Sequence, residues 1–156
     1  MVGKVRAIPD GYEGATPYIC CKGAAQALEF YQAAFGATER MRMAEPSGKI
    51  GHAEFSIGRA IVMLADEYPE IGVLSPQSLG GTAVNLYVYV DDVDGLAKRA
   101  EQAGATVRRP LANQFYGDRS VTLVDPFGHV WTFATHIEDV DAAEMQQRAA
   151  KAMGGA

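Results

Sequence analysis

The segment IGHAEFSIG, residues 50–58, places an imidazole and a carboxylate on one face of a predicted strand. Because side chains alternate along a strand, His52, Glu54 and Ser56 share a polar face and the residues between them form an apolar one. His52 is a candidate general base or hydrogen-bond donor to a ligand, and Glu54 is close enough to pair with it. The alternative is a polar cleft wall or an exposed strand face. These residues could also begin a metal site, but the sequence offers no obvious third ligand.

A second set of polar side chains lies in VNLYVYV, residues 84–90. Alternation places Asn85, Tyr87 and Tyr89 together on one face of this predicted strand. Aromatic rings that carry hydroxyl groups suit a small organic ligand, which needs an apolar surface with a few polar points. Tyrosine is also common in sheets without any binding role, so both interpretations stay open.

The segment NQFYGDRS, residues 113–120, combines aromatic residues with an arginine. Arg119 could clamp a carboxylate or phosphate in bidentate fashion, or be held in a structural pair by Asp118 or Glu54. Tyr116 and Phe115 could wall or cover a cleft. A bulge at Gly117 would change the alternation, so the pattern does not decide on which face of the strand Arg119 lies.

The segment VDPFGHVWTF, residues 124–133, contains a turn, a histidine and the single tryptophan of the chain. The DPFG run is typical of a turn, since proline fixes φ early and glycine tolerates the left-handed conformation late. His129 then lies at the end of a hairpin and is predicted to be structural. Trp131 and Phe133 are predicted to face the core, and Thr132 between them faces the other way.

The elements that must position these residues occur in the same order twice. Helical spacing predicts helices over 23–36 and 91–104. The second helix has aspartates at its start, which we interpret as caps. Strands are predicted at 16–21, 37–45, 50–58, 60–66, 84–90, 105–110, 118–124 and 129–135. A shift of 68 residues lays the GAT run at 36–38 on the GAT run at 104–106, which indicates a structural repeat.

A linker rich in proline, glycine and serine joins the two halves over residues 67–82, and a helical tail follows the second half. Asp141 and Glu144 have capping-box spacing, which predicts a helix from about Asp141. Its thin apolar stripe indicates docking on the body of the protein or on a partner subunit. His136, which follows the last predicted strand, is predicted to take part in that packing.

Composition narrows the function classes. The net charge of -5 disfavours nucleic-acid binding. Apolar runs fall short of the ~20 residues that a membrane helix needs, and the N-terminal stretch lacks the apolar segment of a signal peptide. Cys20 and Cys21 are adjacent and are poor disulfide partners, which suits two buried free thiols in a reducing cytoplasm.

The tandem βαβββ order resembles the vicinal oxygen chelate superfamily, which includes glyoxalase I, extradiol dioxygenases, fosfomycin-resistance enzymes and bleomycin-binding proteins. The chain looks most like the PhnB-like branch. The resemblance runs over TPYI, EFYQAAFGA, GHAEFSIG, VMLADE, SPQSLGGT, YVDDVD, QFYGDRSVTLVDPFGHVWTFATHIEDV and EMQQR. It implies an α+β fold in which two modules, 14–66 and 82–136, form a curved mixed sheet around a cleft. It also implies one domain over 9–137, a tail over 138–156 and a homodimer.

Metal-dependent members of this superfamily take a ligand from the first and the last strand of each module. The corresponding positions here are Thr16, Met63 (or Val62), Asn85 (or Val84) and Thr132. Because these side chains carry no charge, burying a divalent ion among them would be strongly unfavourable. We therefore expect no metal centre of the family's kind, and no other cofactor is predicted.

Two functions remain open from the sequence. The first is binding of a small organic molecule without metal, for example to sequester a drug or metabolite, with Thr16, His52, Glu54, Met63, Asn85, Tyr87, Tyr116, Arg119 and Thr132 as contact residues. The second is an enzyme of the glyoxalase or dioxygenase type, a lyase, isomerase or dioxygenase. It would act through His52 and Glu54 as acid and base or through a metal.

Overall fold

The computed structural model describes residues 5–154, and within them the predicted α+β fold of two βαβββ modules is confirmed. The first module consists of β1 (Tyr18–Cys21), α1 (Ala24–Phe35), β2 (Thr38–Ala44), β3 (Ile50–Ile57) and β4 (Ala60–Asp66). The second consists of β5 (Asn85–Tyr89), α3 (Val93–Ala103), β6 (Thr106–Asn113), β7 (Asp118–Val124) and β8 (Val130–His136). The linker between them contains a 3₁₀ turn (Pro69–Ile71) and the short helix α2 (Pro76–Leu79).

Each module forms its own four-stranded mixed sheet. The strand orders are β1-β4-β3-β2 and β5-β8-β7-β6, and in each sheet the first strand runs parallel to its neighbour while the other pairs are antiparallel. The two sheets are not joined into one continuous sheet. Strands β1 and β5 are therefore both edge strands with one free edge.

The apolar faces of the two sheets share a single core with α1 and α3. Tyr31 of α1 stacks on Phe55 of β3 with ring centroids 4.8 Å apart and lies 5.5 Å from Trp131 of β8. Phe55 and Trp131 are themselves only 6.5 Å apart, although they belong to different sheets. Trp131 and Phe133 are fully buried, as the alternation predicted. The opposite, polar face of each sheet consequently points away from this core.

Carboxylates fix the ends of both module helices. Asp66 accepts hydrogen bonds from the backbone N–H groups of Gly23, Ala24 and Ile50, so the first turn of α1 is tied to β4 and β3. Asp92 accepts from the N–H of Gly95 and caps α3, as the sequence predicted. Such caps satisfy donors that a helix start leaves without partners.

The tail forms helix α4 (Ala142–Gly154), and the two residues after it lie outside the described part of the chain. Asp141 accepts from the N–H groups of Ala143 and Glu144, but the Glu144 side chain bonds to Arg148 instead of closing the capping box. Between residues 5 and 154 no helix is long and apolar enough to cross a bilayer.

Candidate functional site

The polar face of the first module is centred on Glu54, which is only 8% exposed. Its carboxylate accepts a hydrogen bond from the Tyr12 hydroxyl and lies 3.3 Å from Nε2 of His52 and 3.8 Å from Nε of Arg40. The other ring nitrogen of His52 lies 2.8 Å from the Tyr18 hydroxyl. The predicted pairing of His52 with Glu54 is thus present, within a chain of five polar side chains.

These contacts keep Glu54 ionised. The hydrogen bond from Tyr12 lowers the pKa of Glu54 most strongly; burial opposes this effect, and the bond from His52 adds to it. A carboxylate that already accepts several hydrogen bonds is a weak proton acceptor. Glu54 is therefore better suited to orienting His52 than to abstracting a proton itself.

Methionines border this polar cluster. Strand pairing places Met41 and Met63 on either side of Glu54, and Met43 beside His52. Met63 therefore lies on the polar face, whereas its neighbour Val62 is buried in the core. Flexible thioethers beside a buried carboxylate form an amphipathic surface that adapts to apolar ligand groups.

The polar face of the second module carries a neutral hydrogen-bond network. The Asn85 side-chain amide donates to the Thr132 hydroxyl at 2.9 Å, and the Thr122 and Thr132 hydroxyls are also 2.9 Å apart. Thr132 can in turn donate to the Asn85 side-chain carbonyl at 3.2 Å. These three side chains satisfy one another across β5, β8 and β7.

A buried carboxylate anchors the tyrosines of the same face. Asp118 is 2% exposed and accepts from the hydroxyls of Tyr89, at 2.7 Å, and Tyr87, at 3.2 Å. Its second oxygen lies 2.8 Å from Nδ1 of His136, whose Nε2 lies 3.0 Å from Asp139. Burial opposes ionisation of Asp118, yet the hydrogen bonds from His136 and both tyrosines lower its pKa overall. His136 thus contacts two carboxylates, Asp118 of β7 and Asp139 at the start of the tail.

Between these groups lies a concave cavity of about 120 Å³. Its lining residues are Asn85, Tyr87, Arg109, Pro110, Gln114, Tyr116, Ser120, Thr122 and Thr132. Four of the nine, Asn85, Tyr87, Tyr116 and Thr132, were predicted contact residues. Arg109 and Pro110 were missed because β6, which supplies both, has no clear alternation in the sequence. The alternation of β7, which places Ser120 and Thr122 beside Asp118, was a signal that could have been used.

Arg119 lies elsewhere. It shares the parity of the core residues of β7, and its guanidinium makes a bidentate bond to Asp94 of α3, at 2.7 Å for both contacts, and a third bond to Asn113. The hypothesis that Asp118 or Glu54 pairs with Arg119 is therefore wrong. The ion pair is local to the helix side of the sheet, so Arg119 does not join the polar face that contains Thr132.

Other predicted residues lie at the seam between the modules. Thr16 precedes β1 and borders a cavity of about 330 Å³ together with Asn85 and Tyr87. His129 is buried, and its Nε2 donates to the Cys20 carbonyl oxygen at 2.9 Å. It therefore links the second module to β1, in line with its predicted structural role. A larger and mainly apolar cavity of about 450 Å³ lies beside it, against α2.

The positions at which the family would hold a metal do not fit a divalent ion. Thr132 and Asn85 already use their polar atoms on each other and on Thr122. Met63 offers a thioether, a soft ligand that hard divalent ions do not favour. In residues 5–154 no group of three or more histidine, cysteine or acidic side chains is placed to hold a metal.

The loop that carries Tyr116 is held by the C-terminal segment. The Gly117 carbonyl oxygen accepts from the N–H groups of Ile137 and Glu138, at 2.9 and 3.0 Å. From α4, Arg148 donates to the Phe115 carbonyl oxygen and makes a bidentate bond to Glu138 at 2.6 and 2.8 Å. The wall of the second-module cavity thus depends on contacts from outside the βαβββ module.

Comparisons with known proteins agree with this fold. The family model of the Glyoxalase/Bleomycin resistance protein/Dioxygenase superfamily matches residues 15–133. Uncharacterized protein Rv0887c of Mycobacterium tuberculosis is 40% identical over 134 residues, which cover 84% of this chain and 79% of that protein. The crystal structure of TioX from Micromonospora sp. ML1 matches with a TM-score of 0.63 and 27% identity, over 80% of this chain and 100% of that one.

A PhnB protein from Bacillus cereus has a TM-score of 0.59 at 17% identity, covers 79% of this chain and 99% of that one, and so shares the fold. The family model covers well over half of the chain, and the order of elements is the one that the sequence indicated. The chain belongs to the Glyoxalase/Bleomycin resistance protein/Dioxygenase superfamily.

Proposed function

We propose that this protein binds a small organic molecule on its polar sheet faces without the family's metal centre. The observation that carries the proposal is the closed network that joins Asn85 and Thr132, at the metal positions of the second module, to Thr122. This network forms the floor of a cavity whose walls include Tyr87 and Tyr116. Aromatic walls over neutral hydroxyls suit recognition of an organic ligand.

The complete binding site, which we call the cup, would be formed by two copies of the chain. Each polar face points away from the shared core, and the second-module cavity of about 120 Å³ is small beside ligand pockets, which typically measure roughly 300–1,000 Å³. In a homodimer the Glu54 face of one copy can cover the Thr132 face of the other, giving two cups. The free-edge residues Tyr18, Val84 and Tyr89 are 55–62% exposed, which supplies apolar surface for such an interface.

We further propose the bounds of the domain, its branch of the family, its role and its compartment. The domain spans 9–137, with modules 14–66 and 82–136 and a tail over 138–156, and its nearest branch is PhnB-like, as the Bacillus cereus neighbour suggests. The protein's role is to sequester a drug or metabolite. The family's description includes bleomycin resistance proteins, which supports this role. The free thiols of Cys20 and Cys21 fit a reducing compartment such as the cytoplasm.

An acid–base enzyme is the second candidate function. Its supporting observation is the Tyr18–His52–Glu54 chain, in which both imidazole nitrogens have a partner and Glu54 is held ionised by a lowered pKa. A histidine oriented by a carboxylate is the arrangement that general base catalysis uses. The lowered pKa of Glu54 assigns the proton transfer to His52 in this candidate, with Glu54 orienting it.

Two measurements test the proposed function. A thermal-shift screen of metabolites and antibiotics should yield a stabilising ligand, whose binding is weakened by Thr132→Val and His52→Ala but not by Thr106→Val on the outer strand of the same sheet. Elemental analysis after growth in metal-supplemented medium should show no stoichiometric metal. One zinc, nickel, manganese or iron ion per chain would overturn the metal-free proposal. Chelator-sensitive turnover of a catechol or a thiohemiacetal would favour an enzyme.

A further inference from the structure

The second-module cavity is bordered by one exposed, positively charged side chain that belongs to no ion pair among the described residues. Arg109 of β6 is paired in register with Thr122 of β7, which places it on the polar face, and it lines the cavity with Tyr116. Among residues 5–154, no carboxylate lies within 4.0 Å of its guanidinium and no side-chain hydrogen bond engages it. By contrast, Arg119 and Arg148 are each held by bidentate carboxylate contacts.

The strand pairing on both sides of Arg109 is irregular. Strand pairing shifts between Val107 and Arg109, and again between Arg109 and Ala112. Pro110 follows directly and has no N–H group to donate to a neighbouring strand. Bulges of this kind bend a strand and re-aim a side chain, and they are common next to functional sites.

The buried carboxylate on the same face of this sheet is already engaged. Asp118 uses its oxygens to accept from Tyr87, Tyr89 and His136, and it is not among the residues that line the cavity. The remaining lining groups are neutral: the hydroxyls of Tyr87, Tyr116, Ser120, Thr122 and Thr132, the amides of Asn85 and Gln114, and the ring of Pro110. The cavity is therefore a cationic spot on a chain of net charge -5.

We infer that Arg109 binds an anionic group of the ligand, a carboxylate or a phosphonate, with the ligand's ring against Tyr87 and Tyr116. This inference rests on the proposed binding function and specifies its ligand class. A guanidinium offers planar paired donors that match an oxyanion, and the Ser120 hydroxyl lines the same cavity and can add a further hydrogen bond. The Tyr87 hydroxyl donates to Asp118, so its ring, not its hydroxyl, is the part free to contact a ligand.

The test uses three probes of similar shape: benzoate, phenylphosphonate and benzamide. Binding to the full-length protein is followed through the methyl resonances of Thr122 and Thr132, which report contact at the cavity. Benzoate or phenylphosphonate should bind at least about tenfold more tightly than neutral benzamide, as expected for a charge-assisted hydrogen bond. Whichever of the two anions binds more tightly identifies the preferred oxyanion.

Arg109→Ala should remove this preference, and Arg109→Gln should do the same while keeping a polar side chain. Arg108→Ala is the matched control. It removes the same charge from the adjacent residue, whose side chain does not line the cavity. Circular dichroism shows whether each variant is folded. A preference that survives in Arg109→Gln, or is lost equally in Arg108→Ala, would overturn the inference.

Failure of the inference can be separated from failure of the proposed function. Benzamide binding as tightly as benzoate at the two threonine methyls overturns the anion assignment and leaves small-molecule binding intact. Absence of binding by all three probes overturns the assignment as well. The proposed function falls with it only when the metabolite and antibiotic screen also finds no ligand.

Discussion

The Tyr31 hydroxyl of α1 donates a hydrogen bond to the Asp125 carboxylate at 2.8 Å, across the boundary between the two modules. Both side chains are buried, and Asp125 also accepts from Nε1 of Trp131 and from the backbone N–H groups of Phe127 and His129. Burial, followed by the nearby Cys21 and Asp125, raises the pKa of Tyr31, so its hydroxyl remains a donor. The turn of the second module is thus an anchor for the helix of the first.

Removing this contact should destabilise the whole domain. Tyr31→Phe should lower the free energy of unfolding by about 1.5–3 kcal/mol, the loss of one buried hydrogen bond to a charged acceptor. Asp125→Ala should cost about 3–5 kcal/mol because it leaves several buried donors without a partner. Urea denaturation of the two single variants and the double variant measures the coupling, which should be about 1–2 kcal/mol.

Tyr68→Phe is the control for this cycle, since the Tyr68 hydroxyl bonds to the exposed Glu45 at the surface. It should leave the urea midpoint close to that of the wild type, because surface contacts of this kind add little to stability. Additive effects of Tyr31→Phe and Asp125→Ala would show that the hydrogen bond does not couple the modules.

The sequence predicted the parts of this molecule that depend on local pattern. Alternation placed His52 with Glu54, and Thr132 opposite Trp131 and Phe133, because a strand's period of two holds wherever one face is buried. It could not place Arg119, whose partner Asp94 is 25 residues away on another element. Arg109 was missed for a related reason: two shifts in strand pairing separate its position from any simple alternation.

Gly117 should tolerate no side chain. Its φ is +94°, and a Cβ atom at this position would lie 2.1 Å from the Glu138 carbonyl oxygen, a backbone atom that cannot move aside cheaply. Gly117→Ala should therefore lower the free energy of unfolding by more than about 1 kcal/mol. Gly48→Ala is the matched control, because Gly48 also has a positive φ but a Cβ atom there would meet no other atom within 4 Å. Equal losses in chemical denaturation would mean that the close contact with Glu138 has no cost of its own.

Arg148 should act on the cavity wall from outside the module. Arg148→Ala removes the bonds to Glu138 and to the Phe115 carbonyl oxygen, so the loop that carries Tyr116 should open more often. Hydrogen exchange measured by mass spectrometry should then be faster in residues 113–118 than in wild type, with little change in the core strand β8. Lys151→Ala removes an exposed charge from the same helix and is the control. Unchanged exchange in residues 113–118 would show that the contacts of Arg148 do not restrain the loop that carries Tyr116.

His136 should make stability depend on pH. The hydrogen bond to Asp118, followed by that to Asp139, raises the pKa of His136 above its ordinary value of 6.5, so the folded state binds the proton more tightly than the unfolded state. Its stabilising contribution is full below that ordinary value and is lost as the pH rises through the raised folded pKa. Asp118 has a lowered pKa and stays ionised across this range, so it remains a partner for the imidazolium throughout.

The difference in free energy of unfolding between wild type and His136→Gln should therefore shrink from about pH 5.5 to about pH 8.5, measured by urea denaturation at each pH. Asp139→Asn removes only the exposed partner and should retain part of the pH dependence, because the bond to the buried Asp118 raises the pKa of His136 more than the bond to Asp139 does. A difference that stays constant or grows with pH would show that protonated His136 does not stabilise the folded chain.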